Sequence, residues 1–213
     1  MKGDSDPRRR AWDRKYSCEH PLWRGPGEVP SGAGPGIRCL ELGCGDGKTL
    51  RALLATGAEV VAMDLSGPAL RSCRRRMTGP YEAELVRADV RDLPFLDGAF
   101  EMVMAHHVMD HLLLDERMRL AAEAVRVLTP GGRLSLRVFS MEDMRFGKGE
   151  EVEPCTFLRQ DGITYHYFSP EEARGLFPGL AVLEMESRRE AKTFRGERLV
   201  RSEVLVVLRR PMG

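Results

Sequence analysis

Three glycines alternate with other residues just after an acidic one in Glu41-Leu42-Gly43-Cys44-Gly45-Asp46-Gly47, between a β-like run and a helix-like one. Glycines let the backbone turn tightly and come close to a ligand, and the N-terminus of the following helix offers free N–H groups to an anion. A second carboxylate, Asp64, closes the next β-like run 21 residues after Gly43. There it can accept two hydrogen bonds from vicinal hydroxyls of a ligand. Its alternative role, a charge at a helix N-terminus, is already filled by Ser66 as the cap. Asp89 stands after a third β-like run, where it either accepts from a ring amine or closes a turn. Two phosphate-binding alternatives fail on spacing. A Walker A loop ending in Gly47-Lys48-Thr49 needs a glycine where Leu42 stands, and a dinucleotide fingerprint needs one where Lys48 stands.

Proton-carrying side chains fall into three groups. His106 and His107 follow the fourth β-like run, where successive side chains point to opposite faces, so one should face a ligand and the other the packing interior. His107 and His111 share i, i+4 spacing beside Asp110, but without a third placed ligand no metal is assigned. Tyr165-His166-Tyr167 alternates within a long loop and reads as a short strand, lining a pocket or exposed as a hairpin. Trp12 and Tyr16 fall on one face of a short helix from about Asp6, with Trp23 beyond it; that face either covers a sheet edge or forms a lid with aromatic rings beside a cation. The arginine runs at 8–10 and 74–76 read as solvated faces.

Positioning these groups takes an alternating scaffold. Ile37–Leu42 reads as a strand, and Lys48–Thr56 as a helix stopped by Gly57. Glu59–Leu65 is a second strand, and Ser66 with Pro68 opens a helix to about Met77. Glu84–Ala88 and Phe100–Ala105 are the third and fourth strands. Asp115 is expected to cap a helix with Met118, Ala121, Ala122, Val125 and Leu128 on its apolar face. Pro130-Gly131-Gly132 then breaks the chain before a fifth strand, Arg133–Phe139. Ser169-Pro170-Glu171-Glu172 opens a further helix to about Phe177, and β-like runs near Ala181–Ser187 and Leu199–Arg209 close the chain. The expectation is a Rossmann-like, doubly wound α/β sheet of about seven strands, mostly parallel with an antiparallel C-terminal hairpin. Ligands bind such sheets beyond the carboxyl ends of the strands. The glycine loop, residues 105–115 and the loop at about 140–168 should therefore meet there; that last loop far exceeds the usual roughly 4–6 residues.

With these motifs in order, the chain resembles the class I S-adenosylmethionine-dependent methyltransferases. Glu41–Gly47 is similar to that family's first motif, and Asp64 to its ribose-binding acid. Ala88-Asp89-Val90 with Leu93-Pro94-Phe95 is similar to the adenine-binding segment, Phe100–His111 to the motif after strand four, and Leu128–Gly132 to the element before strand five. The resemblance is close over residues 37–139 and architectural beyond. It implies S-adenosyl-L-methionine as cofactor, held by Glu41, Gly43, Cys44, Gly45, Gly47, Asp64, Leu65, Asp89, Val90 and His106. Glu41 would orient the loop or take the cofactor's ammonium; Asp46 or loop amides would take the methionine portion. His106, His107 and His166 are then the candidate proton acceptors, with Tyr165 and Tyr16 as positioning groups.

Composition narrows the class further. The 213 residues carry 33 Lys+Arg against 32 Asp+Glu, a net +1, which argues against a bulk polyanion binder. The C-terminal end is an exception, with eight basic and three acidic residues from Arg188 to Gly213. The expected organisation is a lid segment with a Gly/Pro-rich linker at 1–36 and one methyltransferase domain at 37–213, with its substrate loop at about 140–168. The expected acceptor is a small molecule. A tRNA or protein contacted by the Arg-rich hairpin is the alternative, and a cofactor-binding regulatory subunit is the reading outside catalysis. Five cysteines without a CxxC pair, no long apolar run and no leader-like segment suit a cytoplasmic protein with no membrane partner.

Overall fold

The computed structural model describes residues 6–17, 27–77, 82–194 and 197–212. Trp23 lies outside them. Helix α1 (Pro7–Tyr16) begins where the Asp6 carboxylate accepts the Arg8 N–H at 2.9 Å. After the linker come β1 (Arg38–Leu42), α2 (Lys48–Leu54), β2 (Glu59–Asp64), α3 (Gly67–Arg76), β3 (Glu84–Arg87) and β4 (Phe100–His106). A 3₁₀ turn (Met109–His111) leads to α4 (Leu114–Val127) and β5 (Leu128–Phe139). Three short strands follow, β6 (Glu150–Glu153), β7 (Thr156–Leu158) and β8 (Thr164–His166), then α5 (Pro170–Gly175), β9 (Ala181–Phe194) and β10 (Glu197–Arg209).

Seven strands form one sheet in the order β3-β2-β1-β4-β5-β10-β9. The first five pair in parallel, whereas β10 runs antiparallel to both β5 and β9. The chain reverses strand order between β1 and β4, and the crevice at that switch point is where such sheets bind ligands. Period-two alternation divides the core into two layers. Leu40, Leu42, Val61, Met63, Val103, Ala105, Leu134 and Leu136 pack on one face, against Leu120 and Ala124 of α4. Cys39, Val60, Ala62, Met102 and Met104 pack on the other, against Leu50 and Leu53 of α2.

Three expectations need correction. Asp115 does not cap α4: the cap is Leu113, whose N–H donates to Glu116 Oε2 at 3.1 Å, and Asp115 sits in the first turn. The face packed on the sheet is one position earlier than expected: Arg117, Leu120, Ala121, Ala124 and Val127 are buried while Met118 is exposed. The segment at about 140–168 is not an open loop, because β6, β7 and β8 form an antiparallel sheet of their own. Phe157, Ile163, Tyr165 and Tyr167 from this small sheet join Phe139 and Ala11 in a satellite cluster, with Trp12 packed against it. That cluster seats α1 over the crevice.

Candidate active-site crevice

Two adjoining clefts open at the carboxyl ends of β1, β2 and β4. The first encloses about 610 Å³ and is walled by Gly43, Asp64, Leu65, Asp89, Val90 and Val108 below, and by Arg8, Trp12 and Tyr16 of α1 above. That volume suits a nucleoside-sized ligand. The second, about 840 Å³, is walled by Glu41, Gly43, Cys44, Gly45, Phe139, Arg137, Arg201 and Glu203. Trp12, Tyr16, Gly43, His107 and His111 line both, so these five residues form the seam.

Asp64 is buried at the end of β2, accepting the Gly45 N–H at 2.9 Å and the Ser66 N–H at 2.8 Å. Burial pushes its carboxyl up to about 6, against the backbone hydrogen bonds that favour the charge. Two further lone-pair positions remain for a ligand's hydroxyls. Gly45 adopts φ +56°, and a Cβ there would fall 2.5 Å from the Tyr16 hydroxyl, so only glycine lets α1 lie this close to the loop. Glu41 belongs to the apolar layer of Cys39 and Met104, and its Oε2 is buried without a hydrogen-bond partner. Burial, with Cys73 and Asp64 adding, raises its carboxyl well above the usual range. Glu41 also lines the second cleft, and a buried carboxyl oxygen without a partner suits a cationic group such as an ammonium. Asp89 stands at the wall of the first cleft, engaged by the Arg91 N–H at 3.0 Å and the Arg91 guanidinium at 2.9 Å.

The histidines differ sharply. His107 occupies left-handed backbone at φ 56°, a conformation that costs a non-glycine residue roughly 1 kcal/mol or more. It stacks on Phe139 at 4.5 Å, and its two ring nitrogens lie 3.0 Å from Asp110 Oδ2 and 3.4 Å from Glu203 Oε1. Burial opposes its charge, but the two carboxylates outweigh burial and raise its pKa. His106 Nε2 meets Ser135 Oγ at 2.8 Å, and burial, with the charges of His107 and Arg137, pushes the ring down to about 3. Both rings line the second cleft, so neither is turned wholly into the interior.

Three anticipated site residues do not reach either cleft wall. His166 is buried with Nδ1 on Thr156 Oγ1 at 2.7 Å and Nε2 on Glu172 Oε1 at 2.8 Å, so β8 turns it into the core. Tyr165 stands one layer behind, accepting from Lys15 Nζ at 2.9 Å and meeting the His111 ring edge-on at 4.8 Å. Gly47 serves packing: a Cβ there would lie 2.8 Å from Cys73 Sγ. Asp46 is likewise drawn to Arg76 of α3. Conversely, Arg8, expected on a solvated face, and His111, weighed only as a metal ligand beside His107, both line the site. Arg8, Trp12 and Tyr16 follow i, i+4, i+8 spacing, a signal the neighbouring arginines obscured. Arg137 and Glu203, joined at 2.7 Å, come together only through the β5–β10 register and leave no local signal. Among the described residues, no three His, Cys, Asp or Glu side chains converge as a metal cluster.

Comparison with known proteins matches residues 40–136 to a methyltransferase domain family. Over 105 residues the chain is 41% identical to a demethylmenaquinone methyltransferase of Clavibacter sepedonicus, covering 49% of this chain and 42% of that protein. It is 28% identical to a human tRNA N(3)-cytidine methyltransferase, covering 82% of this chain and 50% of that protein. The chain thus spans about half the length of these relatives or less. A SAM-dependent methyltransferase of Methanosarcina mazei shares the fold with a TM-score of 0.69 at 21% identity, covering 83% of this chain and 93% of that one. Motif order, sheet topology and family match agree: residues 40–136 carry a methyltransferase domain, set in the Rossmann-like fold of the S-adenosylmethionine-dependent methyltransferase above.

Proposed function

We propose that the protein transfers a methyl group from S-adenosyl-L-methionine to a small-molecule acceptor. The observation that carries this reading is the pair of clefts meeting at one seam, with Asp64 in the first and the orphaned Glu41 oxygen in the second. Asp64 would take the ribose hydroxyls; Leu65, Asp89 and Val90 would flank the adenine; Gly43, Cys44, Gly45 and Glu41 would hold the methionine end. When bound, the cofactor supplies a sulfonium methyl, a strong electrophile. The chain's own task is then alignment and exclusion of water, for which α1 is suited as a lid. Asp13 of α1 accepts from Ser66 Oγ at 2.7 Å, and Lys15 ties the helix to Asp161 at 2.9 Å. Residues 37–213 act as one catalytic domain, with residues 1–36 as lid and linker, and the small sheet within 140–168 backs the lid.

A small acceptor suits the second cleft, which is walled in part by Trp12 and Tyr16, and three cations of the basic hairpin already face carboxylates. Arg188 pairs with Glu28 and Glu186, Arg189 with Glu142, and Lys192 with Glu190. A tRNA acceptor is the second reading, favoured by the match to a tRNA methyltransferase over most of this chain. No helix among the described residues is long and apolar enough to cross a membrane. The unpaired thiols of Cys39, Cys44, Cys73 and Cys155 support a reducing compartment such as the cytoplasm. The test is incubation with methyl-labelled S-adenosylmethionine and a fractionated extract of the source cells. Label is expected in the low-mass fraction. Label in nuclease- or protease-sensitive material would overturn the small-molecule reading, and cofactor binding without any transfer would point to a regulatory subunit.

A further inference from the structure

We propose that His111 Nε2 is the proton acceptor of this methyl transfer, and that the methyl acceptor is accordingly a hydroxyl on an aromatic ring. The inference rests on the methyl-transfer reading above. His111 ends the 3₁₀ turn after β4, clamped in both directions to β8. Its Nδ1 lies 2.8 Å from the Thr164 carbonyl, and the Thr164 hydroxyl donates to the His111 carbonyl at 3.0 Å. A carbonyl oxygen only accepts, so Nδ1 must carry the hydrogen and Nε2 the lone pair. Nε2 has no hydrogen-bond partner among the described residues, and the ring lines both clefts at their seam. Edge-on contacts to Trp12 and Tyr165, each at 4.8 Å, hold its orientation.

The other histidines at the crevice are less suited. His107 faces a carboxylate with each nitrogen, which favours the imidazolium, and an imidazolium has no lone pair to offer. His106 spends Nε2 on Ser135 and lines the second cleft without reaching the seam. Burial keeps His111 neutral, lowering it to about 4; His107 and Lys15 act in the same direction, against Asp110 and the Thr164 carbonyl. The ring is therefore in its accepting form at neutral pH. The second cleft's wall bears on the acceptor's shape: the rings of Trp12 and Tyr16 offer apolar surface to a planar ring, while Phe139 is already stacked on His107.

The step balances. The acceptor oxygen forms its bond to the methyl carbon while the carbon–sulfur bond breaks and its electron pair leaves with sulfur. The O–H proton passes to Nε2, so one positive charge, on sulfonium before, is on imidazolium after. An oxygen gaining a methyl group becomes strongly acidic as the bond forms, so a weak base suffices. Asp110, next in the chain, lowers the cost of the new charge.

The test uses the full chain, methyl-labelled S-adenosylmethionine and the low-mass extract fraction. His111→Asn keeps a donor for Thr164 and deletes Nε2. Its kcat is expected to fall by roughly 10²–10⁴, with cofactor Kd by calorimetry within about threefold of wild type. Wild-type kcat should be flat from pH 6 to 8, and the product should be an aryl methyl ether by mass spectrometry. A variant turning over at the wild-type rate, a wild-type rate falling tenfold per unit below pH 7, or an N- or S-methyl product would each overturn the inference while leaving methyl transfer intact. Absence of cofactor binding by wild type would instead sink the reading beneath it. Should the variant fail to fold, nitrogen-15 NMR of wild type decides: a neutral Nδ1–H tautomer at pH 7 supports the assignment, and an Nε2–H or imidazolium state refutes it.

Discussion

Asp64 meets opposing demands. Burial disfavours its charge, yet ribose hydroxyls are best accepted by an ionised carboxylate. Because its folded pKa, about 6, lies above the ordinary 3.8, the folded state holds the proton more tightly than the unfolded one. Its contribution therefore favours folding at low pH and is lost as pH rises through 6. Cofactor binding has the opposite sign, drawing on the ionised form. Affinity should weaken up to about tenfold per unit below pH 6 and level off above pH 7. Asp64→Asn should bind roughly 10–100-fold more weakly at pH 7, the loss of hydrogen bonds to a charged acceptor, and should lose this pH dependence. Calorimetry from pH 5 to 8 checks both. An unchanged Kd in the variant would remove Asp64 from the ribose site.

Among the elements, α4 separates what the sequence makes legible from what it hides. Its apolar period announces a helix, but the period alone leaves the face uncertain by one position. The face is set by packing against the sheet, and Leu113 gives no side-chain cap signal. Leu120→Ala should cost about 2–5 kcal/mol, because the side chain is fully buried beneath the sheet. Met118→Ala should stay within about 0.5 kcal/mol, since that residue is exposed. Denaturant melts of both variants test the assignment, and a larger loss at Met118 would reverse it. Four of the five parallel strands are readable because each ends in a local marker: the glycine loop, Asp64, Asp89 or the histidine pair. The small sheet within 140–168 was not, because strands of three and four residues carry too little pattern. The burial of His166 is hidden for the same reason: alternation identifies a strand, while its partners Thr156 and Glu172 come from separate elements.

At the scale of the whole molecule, the charge distribution bears on the acceptor's size. The excess of cations near the C-terminus lies on β9 and β10, a long antiparallel pair at the sheet edge. Counted along the sequence it resembles a phosphate-binding stripe, but folding brings Glu142 to Arg189 and Glu28 to Arg188, and Glu186 and Glu190 pair with Arg188 and Lys192 along the same strand. Each exposed pair adds little to stability, about 0–1 kcal/mol. Its effect on recognition is larger, because a cation already facing a carboxylate contributes less to the field that draws in a polyanion. An RNA neutralising six phosphates would lose about 10³-fold in affinity between 50 and 200 mM salt. A neutral aromatic acceptor of the kind proposed, held beside Trp12 and Tyr16, would release no such counterions. Over that salt range kcat/KM should therefore change by less than about threefold, and reversing the hairpin charge with Arg189→Glu and Lys192→Glu should leave turnover within about twofold. Steady-state rates across a salt series read both effects. A steep salt slope abolished by the charge reversal would give the hairpin to a nucleic acid. A flat slope in both proteins leaves β9 and β10 the structural task of closing the sheet and carrying Arg201 and Glu203 into the second cleft.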